Sequence, residues 1–209
     1  MTFSIVANDR DAGYCGSAVA SRSIAVGGTV TYSRTGVGVV NTQHHAHIAL
    51  GHRVLDEMEN GEAPHAALAS VLDSDGAAAD SRQLIAIDIT GRQGGWTGRD
   101  CAPECHHAFG AGCVAAGNYL ATAEAVASMI EAFEEAPDAE LATRLLAALR
   151  AADAMGGDRR GRQAAAISVV SHRDRRSMPV NLDLRVDDHP DPIGELSRLH
   201  ELFRREFEE

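Results

Sequence analysis

Lysine is missing: all nineteen basic side chains of the 209-residue chain are arginines. That absence removes Schiff-base chemistry, the phosphate-binding lysine of a P-loop and a lysine general base. Any cationic group in an active site must then be an Arg, a His or the N-terminal amine. Positive charge is also in deficit, with 19 basic residues against 30 acidic ones and a formal charge of −11. Non-specific nucleic-acid binding needs the opposite balance, so no nucleic-acid partner is expected. No apolar run approaches the ~20 residues of a membrane span, and no membrane partner is expected. The opening MTFSIVANDR lacks the basic and long apolar regions of a signal peptide, which predicts a cytoplasmic protein. Cysteine is sparse. Cys15, Cys101, Cys105 and Cys113 are too few for a disulfide scaffold at this length, and a reducing compartment keeps them as thiols.

What is present is ordinary globular material, 44% hydrophobic and 23% charged. Without repeats, linkers or low-complexity segments, residues 1–209 read as one domain. Small and β-branched residues predict strands over residues 2–7, 16–22, 28–32 and 36–40. A helical period follows, with Ile48, Leu50, Val54, Leu55 and Met58 on one face and a stop at Asn60-Gly61. A second helix begins at Pro64. A strand over 84–89, a turn at 90–94 and a returning arm at 95–98 come next, then a short strand over 114–118. Two Ala-rich helices are expected over 121–134 and 138–152, the second capped by Asp138. Strands over 165–170 and 180–186 flank a charged loop, and Pro192 opens a last amphipathic helix. Strands grouped apart from paired helices predict an α+β fold of stacked sheets covered by helices.

Several constellations can carry chemistry. Thr2 is small enough for aminopeptidase removal of Met1, which frees an α-amine of ordinary pKa ~7.7–8.0 beside a hydroxyl. Nucleophile and base then reside in one residue, although Thr at position two is also common without function. Gly156-Gly-Asp-Arg-Arg-Gly-Arg-Gln163 reads as a polar loop aimed at a strand end, or as plain charged surface. Asp187, Asp188 and His189 are possible hard-metal or zinc ligands, but consecutive residues seldom converge, and capping or ion pairing explains them equally well. His44, His45, His47 and His52, with Cys101, Cys105, His106 and His107, lack the spacing of a strong zinc motif. Asn118 ends a strand and begins a helix, where it serves as an oxyanion donor or simply as an N-cap.

Thr2-Phe-Ser-Ile-Val-Ala, Ala18-Val-Ala-Ser-Arg22, Thr42-Gln43, Gly117-Asn118, the GGDRRGRQ run and Leu184-Arg-Val-Asp-Asp-His-Pro-Asp-Pro192 together resemble domain-of-unknown-function family 1028, from residue 2 to about 200. That family resembles the N-terminal-nucleophile (Ntn) hydrolases. The resemblance implies a four-layer αββα sandwich of two mainly antiparallel sheets between helix layers.

It also implies Thr2 as nucleophile after loss of Met1, with Asn118 and Asp158 completing the catalytic set. Arg22, Arg34, Gln43, Arg159 and Gln163 would bind substrate. Arg34 sits close to where proteasome-type members place a lysine, but a guanidinium cannot act as a base. Ala20 and Ala164 replace the Asp and Ser of a proteasome-like site, which favours an Arg-containing variant. The implied activity is hydrolysis of an amide bond in a small polar substrate, with no cofactor and no metal. A non-catalytic binding protein on the same scaffold is the alternative, and a metal-dependent hydrolase using the His and Cys clusters the third. A homo-oligomer, most simply a dimer, is expected from the small-residue helices.

Overall fold

Alternation along the first strand decides the architecture. In β1 (Thr2–Asp9), Phe3, Ile5 and Ala7 point to one face and Thr2, Ser4, Val6 and Asn8 to the other, as period-two geometry requires. Both faces are buried, so the strand must lie inside a stack. The computed structural model, which describes residues 2–101, 104–172 and 182–207, places it centrally in a six-stranded sheet. On one side run β2 (Tyr14–Ser21), β9 (Ala164–Ser171) and β10 (Leu182–Val186). On the other run β8 (Cys113–Asn118) and β7 (His106–Gly110). A second sheet orders β3 (Thr31–Arg34), β4 (Gly38–His44), β5 (Arg82–Asp88) and β6 (Gln93–Thr97). Every pairing in both sheets is antiparallel.

Helices pack against both sheets. α4 (Glu124–Glu134), α5 (Leu141–Ala154) and α6 (Pro192–Phe207) bury Val126, Met129, Leu145, Leu149 and Leu196 with Ile5, Ala115 and Ile167 of the six-stranded sheet. α2 (Ile48–Glu59) and α3 (Pro64–Asp75) bury Leu50, Val54 and Leu68 with Val40 and Leu84 of the other. Val6, Val39, Ile85, Ile87, Val114 and Val170 fill the space where the sheets face one another. Each such side chain contributes about 1.5–3 kcal/mol of burial free energy. Towards Thr2 the inter-sheet layer becomes polar, with Thr2, Ser4, Ser21, Gln43, Gln83 and Asn118 all buried.

The structure redraws several expected elements. Residues 28–32 do not form one strand: α1 (Gly27–Val30) precedes β3, because Val26 and Val30, four apart, both pack on Val19, Ala164 and Ala166. That is a helical spacing, and Gly27 is required by the close approach of Ala166 and Arg185. Asp138 caps nothing at the start of α5. Residues 136–139 close a turn through Ala139 N–H to the Ala136 carbonyl, and the helix begins later, at Leu141. Asn118 does not begin a helix either, since α4 starts at Glu124. β7 was unforeseen because HHAFG has neither alternation nor full burial. Of the strand expected over 180–186, residues 180 and 181 lie outside the described residues, as does most of the charged loop before it. No helix among the described residues is long and apolar enough to cross a membrane.

Candidate functional site

Thr2 pairs with Ser21 on one side and Asn118 on the other, so three polar residues stand in a row across the six-stranded sheet. The Thr2 hydroxyl donates to Ser21 Oγ at 3.4 Å, and the residue is 6% exposed. One pleat inward, Ser4 Oγ donates to Gln43 Oε1 at 2.7 Å. Gln43 Nε2 donates to Gln83 Oε1 at 2.7 Å, and Asn118 Nδ2 donates to the same oxygen at 2.9 Å. Gln83 Nε2 in turn reaches the carbonyls of Gly117 (2.9 Å) and His106 (3.1 Å). Buried amides are tolerated only when hydrogen-bonded, and this network ties the two sheets together at the Thr2 end. Asn118 Oδ1, fully buried, has no partner among the described residues.

Arg22 immediately follows Ser21, and its backbone N–H donates to Asp158 Oδ2 at 2.7 Å. Asp158 also accepts from Arg160 N at 2.8 Å and pairs with the Arg160 guanidinium. Its segment bridges to Leu120, two residues past Asn118, which brings the GGDRRGRQ loop beside the row. Arg22 Nη1 donates to Gln163 Oε1 at 2.6 Å, and Gln163 Nε2 donates to Asp188 Oδ1 at 3.0 Å. His189 N–H adds a bond to the Gln163 carbonyl. The two long motifs therefore form one bonded unit behind Arg22. The acids in the second motif are engaged: Asp187 pairs with Arg185, and Asp191 accepts from Gly194 N at the start of α6.

A ring stack stands beside the row. His44 and Tyr119 follow the buried Gln43 and Asn118, and both adopt left-handed backbone (φ 66° and 52°) that carries their chains out of the strands. Their rings stack at 5.7 Å, His45 stacks on His44 at 4.7 Å, and the Arg159 guanidinium lies 5.3 Å from the Tyr119 ring centre. Burial holds the His44 imidazole below its ordinary range. Arg162 is paired with Asp153, whereas neither Arg22 nor Arg159 has a carboxylate at ion-pair distance among the described residues.

Arg34 is the expected site residue that the fold leaves elsewhere. It pairs with Gly38 at the far end of β4 from Gln43, roughly 16–17 Å along the strand at ~3.3 Å per residue. Its guanidinium is held by Asp56 (2.8 Å) and Glu59 (2.7 Å) of α2. The histidines of 44–52 also separate, since His52 packs edge-on against Tyr32. No three His, Cys, Asp or Glu side chains converge as a metal site among the described residues. Gln83, Ser21 and Tyr119 stand at the site without belonging to the expected set. Only Gln83 carried a signal, as a polar residue in phase with Ile85 and Ile87 on the same face of β5.

The model of a family of unknown function (DUF1028) matches residues 2–196. Protein SPO2555 from Silicibacter pomeroyi, a solved structure of the same family, is 34% identical and superposes with a TM-score of 0.87, covering 97% of this chain and 89% of its own. Anbu (ancestral beta-subunit) from Yersinia bercovieri is 10% identical with a TM-score of 0.44, over 97% of this chain and 96% of its own. No curated protein matches the chain. With its family model spanning nearly the whole sequence and a solved relative above 30% identity, the chain belongs to the DUF1028 family.

Proposed function

We propose that the protein is an N-terminal-nucleophile hydrolase with a four-layer αββα arrangement, cleaving an amide bond in a small polar substrate. The observation that carries this reading is the row Ser21–Thr2–Asn118, with Thr2 at the head of a central strand. After removal of Met1, the Thr2 hydroxyl attacks the substrate carbonyl and its α-amine takes the proton, directly or through one water. Asn118 Nδ2 spends one N–H on Gln83 and keeps a second for the developing oxyanion. Asp158 is a positioning residue, fixing the backbone of Arg22 next to Ser21. Arg22 and Arg159, unpaired with carboxylates among the described residues, suit a substrate carboxylate. Gln163 steadies Arg22 and Gln43 steadies the amide network. The assembly in this reading is a two-fold homodimer.

A strained β-lactone tests the nucleophile, because ring opening transfers an acyl group to a free Thr hydroxyl. One acyl group per chain is expected on protein lacking Met1, and none on Thr2→Ala. Equal acylation of Thr2→Ala overturns the reading.

A second reading, a non-catalytic ligand-binding protein, is favoured by one observation: Thr2 is 6% exposed and its hydroxyl is turned onto Ser21. Under it, Arg22 and Arg159 hold an anionic ligand without turnover, and the lactone leaves the chain unmodified.

A further inference from the structure

Four thiols occupy two kinds of surroundings. Cys15 and Cys113 are buried in the sheets, and burial pushes each up to about 12. At such values almost no thiolate exists at neutral pH, and these two are inert. Cys101 and Cys105 are partly exposed. Gln83 Nε2 donates to Cys105 Sγ at 3.3 Å, and the Cys105 thiol hydrogen-bonds to Cys101. Cys101 Sγ donates to the Arg82 carbonyl at 3.4 Å. The two thiols are thus anchored on consecutive residues of β5, Arg82 and Gln83, beside the amide network.

We propose that Cys101 and Cys105 form a dithiol site that organic or hydrogen peroxides oxidise to an intramolecular disulfide. The direction of attack follows from the bond between the thiols. Donation from Cys105 holds Cys101 below the ordinary thiol range, and the same bond, with burial, pushes Cys105 up. On ionising, Cys101 gives up its donation to Arg82 and keeps the hydrogen bond from Cys105. Its thiolate attacks one peroxide oxygen, the O–O bond breaks, and the alkoxide or hydroxide leaves with the proton Cys101 released. Cys101 is then a sulfenic acid. The Cys105 sulfur attacks the Cys101 sulfur, the S–S bond forms, and hydroxide departs with the Cys105 proton as water. Two thiols lose two electrons in all, and one peroxide becomes an alcohol, or water, plus one water.

The step is independent of the Thr2 chemistry, and its test needs no activity. Reduced, folded full-length protein is treated with hydrogen peroxide, then alkylated with light reagent in denaturant, reduced, and alkylated with heavy reagent. The expected result is an intact mass lower by two hydrogens, with heavy label on Cys101 and Cys105 and light label on Cys15 and Cys113. Cys105→Ser should stop at a sulfenic acid on Cys101 that dimedone traps. Cys101→Ser should consume peroxide about tenfold more slowly or less. Heavy label on Cys15 or Cys113, or stable oxygen addition to wild-type Cys101 in place of hydrogen loss, overturns the proposal. So does a wild-type chain that stays fully light-labelled.

Discussion

Thr2 and Asn118 face each other across the β1–β8 ladder, one opening its strand and the other closing its own. Their side chains consequently share the polar end of the inter-sheet layer, and Asn118 is bonded to Gln83 of the opposite sheet. Asn118→Ala removes that buried bond and is expected to cost about 1–2 kcal/mol in urea unfolding. If Asn118 is also the oxyanion donor, acylation of Thr2 by a β-lactone falls about 10²-fold or more in the same variant. A variant with lowered stability and unchanged acylation rate would confine Asn118 to a structural role.

Asp158 holds two backbone N–H groups and a guanidinium while almost fully buried. Asp158→Ala leaves those N–H groups without an acceptor, and a loss of about 2–4 kcal/mol is expected. The amides of Arg22 and Arg160 should lose hydrogen-exchange protection more than the rest of the chain. Uniform loss over all strands would show that the loop is not held locally by this carboxylate.

Burial holds His44, His107 and His172 below the ordinary imidazole value of 6.5. Below that value the unfolded chain takes up protons that the folded chain refuses, so acid favours unfolding. Their neutral-state contribution is complete above about pH 6.5 and shrinks as pH falls below it. Glu140 is held low by His200 first and by Arg204 as well, so its contribution survives until pH falls below its ordinary 4.5. The urea midpoint should therefore drop between about pH 7.5 and about pH 5.5. A midpoint that is flat or rises over that window contradicts the buried, neutral state of the three imidazoles.

Much of this was legible in the residues, and the failures have physical causes. The apolar period of Leu50, Val54 and Leu55 and the alternation of Ile85 and Ile87 reported real faces. The fold brings Thr2, Asn118, Asp158 and Gln163 towards one strand end. Arg34 was misleading because proximity in sequence to β4 says nothing about which end of that strand it reaches, and α2 supplies its acidic partners. Asp138 looked like a cap because its residue type suits one, yet a turn around Pro137 used the same residues first. Gln83 was passed over since its role depends on contacts across both sheets, from Ser4 through Gln43 to Asn118, which no local pattern encodes.

A two-fold homodimer is expected in solution. Light scattering at micromolar concentration should return twice the single-chain mass of 22.1 kDa. A value at the single-chain mass shows a monomer.

The central claim, that Thr2 becomes an N-terminal nucleophile, depends on whether its amine is ever free. Intact-mass analysis of protein made in its native host answers this most directly. The account predicts a chain shorter by one methionine, beginning at Thr2. Quantitative retention of Met1 would contradict it, because the hydroxyl would then have no α-amine to take its proton.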